Sequence, residues 1–218
     1  MIYYLPVLDE DVLWFPPVEM AHEDGLLAMG GDLSVQRLLL GYQNGIFPWF
    51  NEDDPILWWS PDPRCVVYPE SLKVSKSMQQ LLKRQVFDFR VDTAFRKVIE
   101  NCAYTKRKDD AGTWITEDII DAYDDLHRAG YAHSAEVWQD NELVGGLYGV
   151  LLGKVFFGES MFSKVSNASK YTFICWTRQL QAQGIQLIDC QMHTPHLESL
   201  GAEMISREVF ISQVKQYT

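Results

Sequence analysis

Three strand-forming runs follow one another with almost no chain between them: HSAEVWQ, ELVGGLYGVLLG and KVFFGESMF, from His133 to Phe162. The polar pairs Asp140-Asn141 and Gly153-Lys154 join them. Connections this short return the chain on itself, so the block reads as an antiparallel meander. Helical patterns bracket it. Before it come VQRLLLGYQNG behind Ser34, KSMQQLLKRQ behind Ser75 or Ser77, AFRKVIENCAY behind Thr93, and TEDIIDAYDDLHRAG. Each opens on a residue able to cap a helix, and the last carries acids in its first turn and Gly130 at its end. After it come a helix over Asn167–Gln183 stopped by Gly184, a short apolar strand IQLIDCQM, a helix around HLESLGA, and a strand or helix at EVFISQV. The expected fold class is α+β, with a mixed, largely antiparallel sheet flanked by helices. Gly145, Gly146 and Gly149 inside the middle strand mark either a bulge or a close backbone approach by a ligand.

Eight of the nine prolines lie at or before Pro69. They set off a small N-terminal unit, residues 1–64, from a larger C-terminal unit, residues 65–218. The net charge of −11 hides a segregation. Residues 1–54 hold ten acids and one base, Arg37, whereas residues 73–108 hold ten bases against three acids. Such a basic strip is either a solvated helix face or a docking strip for a polyanion. The four cysteines show no C-x-x-C spacing and read as reduced thiols. The start of the chain is acidic where a secretory leader is basic. The longest uncharged apolar run, Leu143–Gly153, is far short of the roughly 20 residues that cross a bilayer. A cytoplasmic protein without a membrane span is expected.

Three features carry chemistry. Asp189 and Gln191 end the strand IQLID, and a period of two places them on one face with Cys190 on the other. Glu159 sits among Phe156, Phe157, Met161 and Phe162, so it either has a cationic or hydrogen-bonding partner, such as Lys170 or an Arg in an internal salt bridge, or faces a cleft. Trp49 in GIFPWF and Trp114 in GTWIT stand beside glycine and proline, as residues lining an apolar pocket do. Cys190, His193 and His196 lack the fourth ligand of a structural zinc site, so no metal is expected. Neither G-x-x-x-x-G-K-[ST] nor a helix-opening G-x-G-x-x-G is present, which leaves nucleotide binding without support.

The element order from residue 73 onward resembles the GCN5-related N-acetyltransferase fold. Nine stretches are more specific: GLLAMGGDLS, GIFPWF, ILWWSPDPR, TWIT, ELVGGLYG, FFGESMFS, NASK, LIDCQ and SLGA, in this order along nearly the whole chain. Together they resemble the leucyl/phenylalanyl-tRNA–protein transferase family. The resemblance implies a small N-terminal domain and a GCN5-related N-acetyltransferase-like C-terminal domain. It implies a transferase that moves Leu or Phe, and by extension Met, from aminoacyl-tRNA to the N-terminal Arg or Lys of a protein, marking it for degradation by the N-end rule. No cofactor is implied, and a monomer is expected.

Carried onto this sequence, the resemblance makes Asp189, Gln191 and Glu159 the catalytic residues. Tyr42, Trp49, Trp114, Tyr123, Leu147 and Phe156 become the walls of the aminoacyl pocket. Lys73, Lys76, Lys83, Arg84, Lys106, Arg107 and Lys108 become contacts to tRNA phosphates. A CoA-dependent N-acetyltransferase is the competing enzyme. FSKVSNASK has no glycine where such enzymes carry their pyrophosphate loop. A non-enzymatic RNA-binding adaptor is the competing binding module.

Overall fold

The computed structural model describes residues 5–104 and 115–218. Trp114, Lys106, Arg107 and Lys108 lie outside the described residues. The proline-rich start folds into a four-stranded sheet: β1 (Val7–Leu8), β2 (Leu26–Gly30), helix α1 (Val35–Gln43), β3 (Phe47–Pro48) and β4 (Leu57–Trp59), in the order β1-β2-β4-β3. Strands of two to five residues between prolines are too short to show a period, so periodicity does not announce them. Ser34 caps α1 by accepting the Arg37 N–H at 3.3 Å. Arg37, the single base of residues 1–54, is fully buried and turned inward. Its Nε donates to Asp32 at 3.1 Å, and its Nη2 donates to the carbonyls of Asp9, Glu10 and Val12. This cation ties the first loop down rather than balancing the surface charge.

The rest of the chain builds a seven-stranded sheet. Its elements are β5 (Arg64–Val67), α2 (Lys76–Arg84), β6 (Asp88–Val91), α3 (Phe95–Tyr104), α4 (Glu117–Arg128), β7 (Ala132–Gln139), β8 (Glu142–Leu152), β9 (Val155–Ser163), α5 (Ala168–Ala182), β10 (Leu187–Gln191), α6 (Pro195–Glu198), β11 (Glu203–Ile205) and α7 (Arg207–Tyr217). The strand order is β11-β5-β10-β9-β8-β7-β6. The meander β7-β8-β9 sits inside it, and every neighbouring pair is antiparallel except β9 with β10. The fold is α+β, with a mixed, mostly antiparallel sheet. EVFISQV lies within helix α7, which settles an ambiguity that a short apolar run leaves open.

Ser75 caps α2 and Thr116 caps α4, each through its hydroxyl. At the start of α3 the acceptor comes from elsewhere. The buried Glu136 of β7 takes the backbone N–H groups of Thr93 and Ala94 at 3.0 and 2.8 Å. Apolar groups fill both faces of the sheet. One cluster joins Tyr42 of α1 and Phe47 and Trp58 of the small sheet to Tyr123 of α4, Phe157 of the large sheet and Phe210 of α7. The other packs Met78, Phe173 and Trp176 against Leu147 and Phe156. The expected division after residue 64 thus falls inside β5, and the core is continuous across it. At Gly149 a Cβ would stand 2.1 Å from the Phe157 carbonyl oxygen, and at Gly145 2.7 Å from Ala168. Neighbouring protein atoms make these close approaches, and Gly149 borders a bulge against β9.

Candidate active site

Two irregularities in adjacent strands create the site. Between β8 and β9 the register runs Gly149 to Gly158 and then Tyr148 to Ser160, so Glu159 is an extra residue on β9. Between β10 and β5 it runs Asp189 to Val66 and then Gln191 to Cys65, so Cys190 is extra on β10. Both bulges lie just beyond the last parallel partners, Asp189 and Phe157. A bulge re-aims side chains and ends pairing. Here the paired bulges part β9 from β10 and turn Glu159 and Gln191 toward each other.

Glu159 is buried, and three donors hold it. The Tyr42 hydroxyl donates to Oε1 at 2.8 Å, the Tyr123 hydroxyl to Oε2 at 3.0 Å, and Gln191 Nε2 to Oε1 at 3.1 Å. The two phenol oxygens also stand within hydrogen-bonding reach of each other, a bond that either can donate only by giving up its bond to Glu159. Of the readings open for Glu159, the structure shows hydrogen-bonding partners in place of a cation, together with a place on a cavity. Burial raises its carboxyl to about 7, against the lowering effect of the two tyrosine hydroxyls. Asp189 raises it further and Arg64 lowers it. Burial also drives the Tyr42 and Tyr123 phenols far above their ordinary range, so both remain donors.

A cavity of about 620 Å³ opens in front of this network. Its walls include Phe47, Trp49, Leu147, Phe156, Phe173, Ile188 and Leu197, with Glu159, Gln191, Cys190 and His196 among the polar lining. Trp49, Leu147 and Phe156 therefore stand where pocket walls were expected. Trp49 is 41% exposed and packs edge-on against Trp59. Tyr42 and Tyr123 do not line the cavity; they lie behind Glu159 and serve it as hydrogen-bond donors. The strand alternation expected at residues 189–191 does not hold. The bulge and the left-handed backbone of Gln191 (φ 60°) put Cys190 and Gln191 together on the cavity, while Asp189 is sealed beneath it. Asp189 grips Arg64 through both carboxylate oxygens, at 2.8 and 2.7 Å, and its Oδ1 accepts the Gln191 N–H at 2.9 Å. Cys190 is accordingly half-buried at the cavity wall rather than enclosed in the core.

A family model described as leucyl/phenylalanyl-tRNA protein transferase matches residues 66–215, and one for the N-terminal domain of that transferase matches residues 31–62. The chain belongs to the leucyl/phenylalanyl-tRNA–protein transferase family. The transferase of Hydrogenovibrio crunogenus is 55% identical over 213 residues, 97% of this chain and 83% of its own. That of Nitrosospira multiformis is 56% identical over 214 residues, 97% of this chain and 91% of its own. A GCN5-related N-acetyltransferase-like protein from Streptococcus suis is similar over 76% of this chain and 61% of its own, at 13% identity and a TM-score of 0.39. The fold class rests on the strand order and not on that likeness.

For a transferase of this family the basic strip is the remaining element. Lys73, Lys76, Lys83 and Arg84 are exposed, and Lys76 and Lys83, seven apart, share one face of α2. Two other bases of the strip are engaged internally. Arg90 pairs with Asp88 and lies over Trp138, and Arg96 bonds Asp121 and Asp124 of α4. No helix among the described residues is long and apolar enough to cross a membrane. No group of three His, Cys, Asp or Glu among them is placed to hold a metal. Sequence reasoning missed Phe47, Phe173 and His196 on the cavity and Arg64 behind it. Phe47 lies within GIFPWF and Arg64 within ILWWSPDPR, two of the stretches that carry the family resemblance.

Proposed function

We propose that this protein transfers a leucyl or phenylalanyl group from aminoacyl-tRNA to the α-amino group of an N-terminal Arg or Lys, in the cytoplasm, creating an N-end rule signal. The observation that carries the reading is an apolar cavity bounded at one side by a carboxylate–carboxamide pair. Phe156, Leu147, Phe173 and Trp49 supply surface for a large apolar side chain. Such walls discriminate weakly between apolar groups of similar size, which suits a donor set of Leu and Phe.

The reaction is aminolysis of an ester. A neutral α-amine attacks the ester carbonyl, a C–N bond forms, and the amine proton leaves. The bond from the carbonyl carbon to the tRNA 3′-terminal oxygen then breaks, and that oxygen takes a proton. An α-amine titrates near roughly 8, so an appreciable fraction is already neutral near pH 7–8, and positioning supplies most of the rate. Glu159, ionised above about 7, receives the proton at the cavity face. With its Nε2 on Glu159, Gln191 offers its carbonyl oxygen to an N–H of the amine. Asp189 acts at one remove, by holding the Gln191 backbone.

The exposed lysines and arginine of the strip, Lys73, Lys76, Lys83 and Arg84, are assigned to acceptor-stem phosphates, together with Lys106, Arg107 and Lys108. Trp114 is assigned to the pocket on the family resemblance. The test is transfer of radiolabelled leucine from Leu-tRNA to a protein beginning with Arg, with and without RNase. RNase-sensitive labelling is expected. Acetyl transfer from acetyl-CoA without RNA would establish the competing enzyme instead.

A further inference from the structure

Arg64 touches neither the cavity nor any group of the reaction, yet its placement is unusually constrained. It is 1% exposed, and its guanidinium lies between the rings of Phe47 and Phe210, 4.7 and 4.6 Å from their centroids. Nε and Nη2 form the bidentate pair with Asp189, itself 0% exposed. Nη1 is buried and hydrogen-bonds nothing among the described residues. As a device for stability alone this is a poor one. Two charges are taken out of water, which offsets most of their attraction, and one donor is left unsatisfied. What the pair does hold is the strand end. Asp189 Oδ1 takes the Gln191 N–H, Gln191 is held in a left-handed backbone conformation uncommon for a side chain of its kind, and its Nε2 reaches Glu159. One ring of the sandwich, Phe47, is also a cavity wall.

We propose that Arg64 is a positioning residue for the transfer step: it clamps Asp189 and so fixes the β10 bulge that delivers the Gln191 carboxamide to Glu159. This rests on the transfer reading given above. The decisive variant is Arg64→Met combined with Asp189→Leu, which replaces the ion pair by apolar groups of similar volume. Exchanges of that kind are often neutral or stabilising. A purely structural pair would leave both stability and rate intact. A positioning pair predicts a melting temperature at or above that of the unaltered protein, a KM for Leu-tRNA within about twofold, and a kcat about 10²-fold lower.

Arg64→Lys keeps the charge but loses the fork, and it decides the matter alone if the double variant fails to fold. Its plateau kcat should fall about tenfold, and its acid limb should move up by roughly one pH unit as Glu159 loses the Gln191 donor. A shifted limb with an unchanged plateau would mean that Arg64 acts through its charge, and would overturn the proposal. So would a double variant with full kcat. An independent readout is the Gln191 side-chain amide resonance, assigned by its loss in Gln191→Leu. It should follow the Glu159 titration in the unaltered protein and cease to do so in Arg64→Lys; persistence there would also overturn the proposal. Should the unaltered protein transfer no leucine, the transfer reading fails, while this resonance still decides the role of Arg64.

Discussion

Replacing Glu159 by Gln should make the protein more stable and less active at once. The Glu159 carboxyl titrates at about 7 in the folded chain against an ordinary 4.5, chiefly because burial penalises its charge. Between those values the folded chain holds a proton that the unfolded chain has released. Stability therefore falls as pH rises through this window. At about 1.4 kcal/mol per pH unit, the loss reaches about 3 kcal/mol by pH 8. A carboxamide does not titrate. Its oxygen accepts from Tyr42 and Gln191 as Oε1 does, and its NH2 donates to the Tyr123 oxygen, which turns its proton to Tyr42. The variant should therefore unfold about 6–12 °C above the unaltered protein at pH 8, at 2–4 °C per kcal/mol for a chain of this size. At pH 5, just above the ordinary carboxyl value, the gap should shrink to about 2–3 °C. Losing the proton acceptor should lower transfer by about 10²-fold, the low end for general bases, because an appreciable fraction of the amine is already neutral. Thermal unfolding from pH 5 to 8 and Leu-tRNA transfer on the same samples test both halves. A variant less stable than the parent at pH 8 would refute the burial argument. Transfer within a few-fold of the parent would refute the assignment of the base.

Tyr123→Phe removes the donor to Oε2, and a hydrogen bond to a charge is worth enough to move the acid limb of kcat upward by roughly one pH unit; an unmoved limb in a pH–rate profile would separate the tyrosine from the carboxylate. Trp49→Ala removes an exposed wall of the cavity, and should raise the KM for Leu-tRNA about tenfold with kcat nearly unchanged, in steady-state kinetics. Lys83→Glu together with Arg84→Glu should weaken tRNA binding and reduce the log–log salt slope by about two, measured by filter binding from low to high salt. Unchanged affinity would remove α2 from the tRNA contact.

The sequence by itself determined the meander, because two-residue turns between alternating runs leave one way to return the chain. It determined the helices around the meander through caps such as Ser75 and Thr116. It also named the family, through motifs spread from GLLAMGGDLS to SLGA. It could not show the small sheet, whose strands are too short for a period, nor the cap on α3, which Glu136 supplies from 43 residues away along the chain. At the site it identified Glu159, Asp189 and Gln191 but arranged them by strand alternation. That rule assumes unbroken pairing, and two bulges side by side break it. Only the tertiary structure could bury Asp189 against Arg64, bring Tyr42 and Tyr123 from two different helices onto Glu159, and leave Gln191 facing the cavity. Which carboxylate lines the cavity depends on register between strands distant in sequence, and local pattern carries no information about that register.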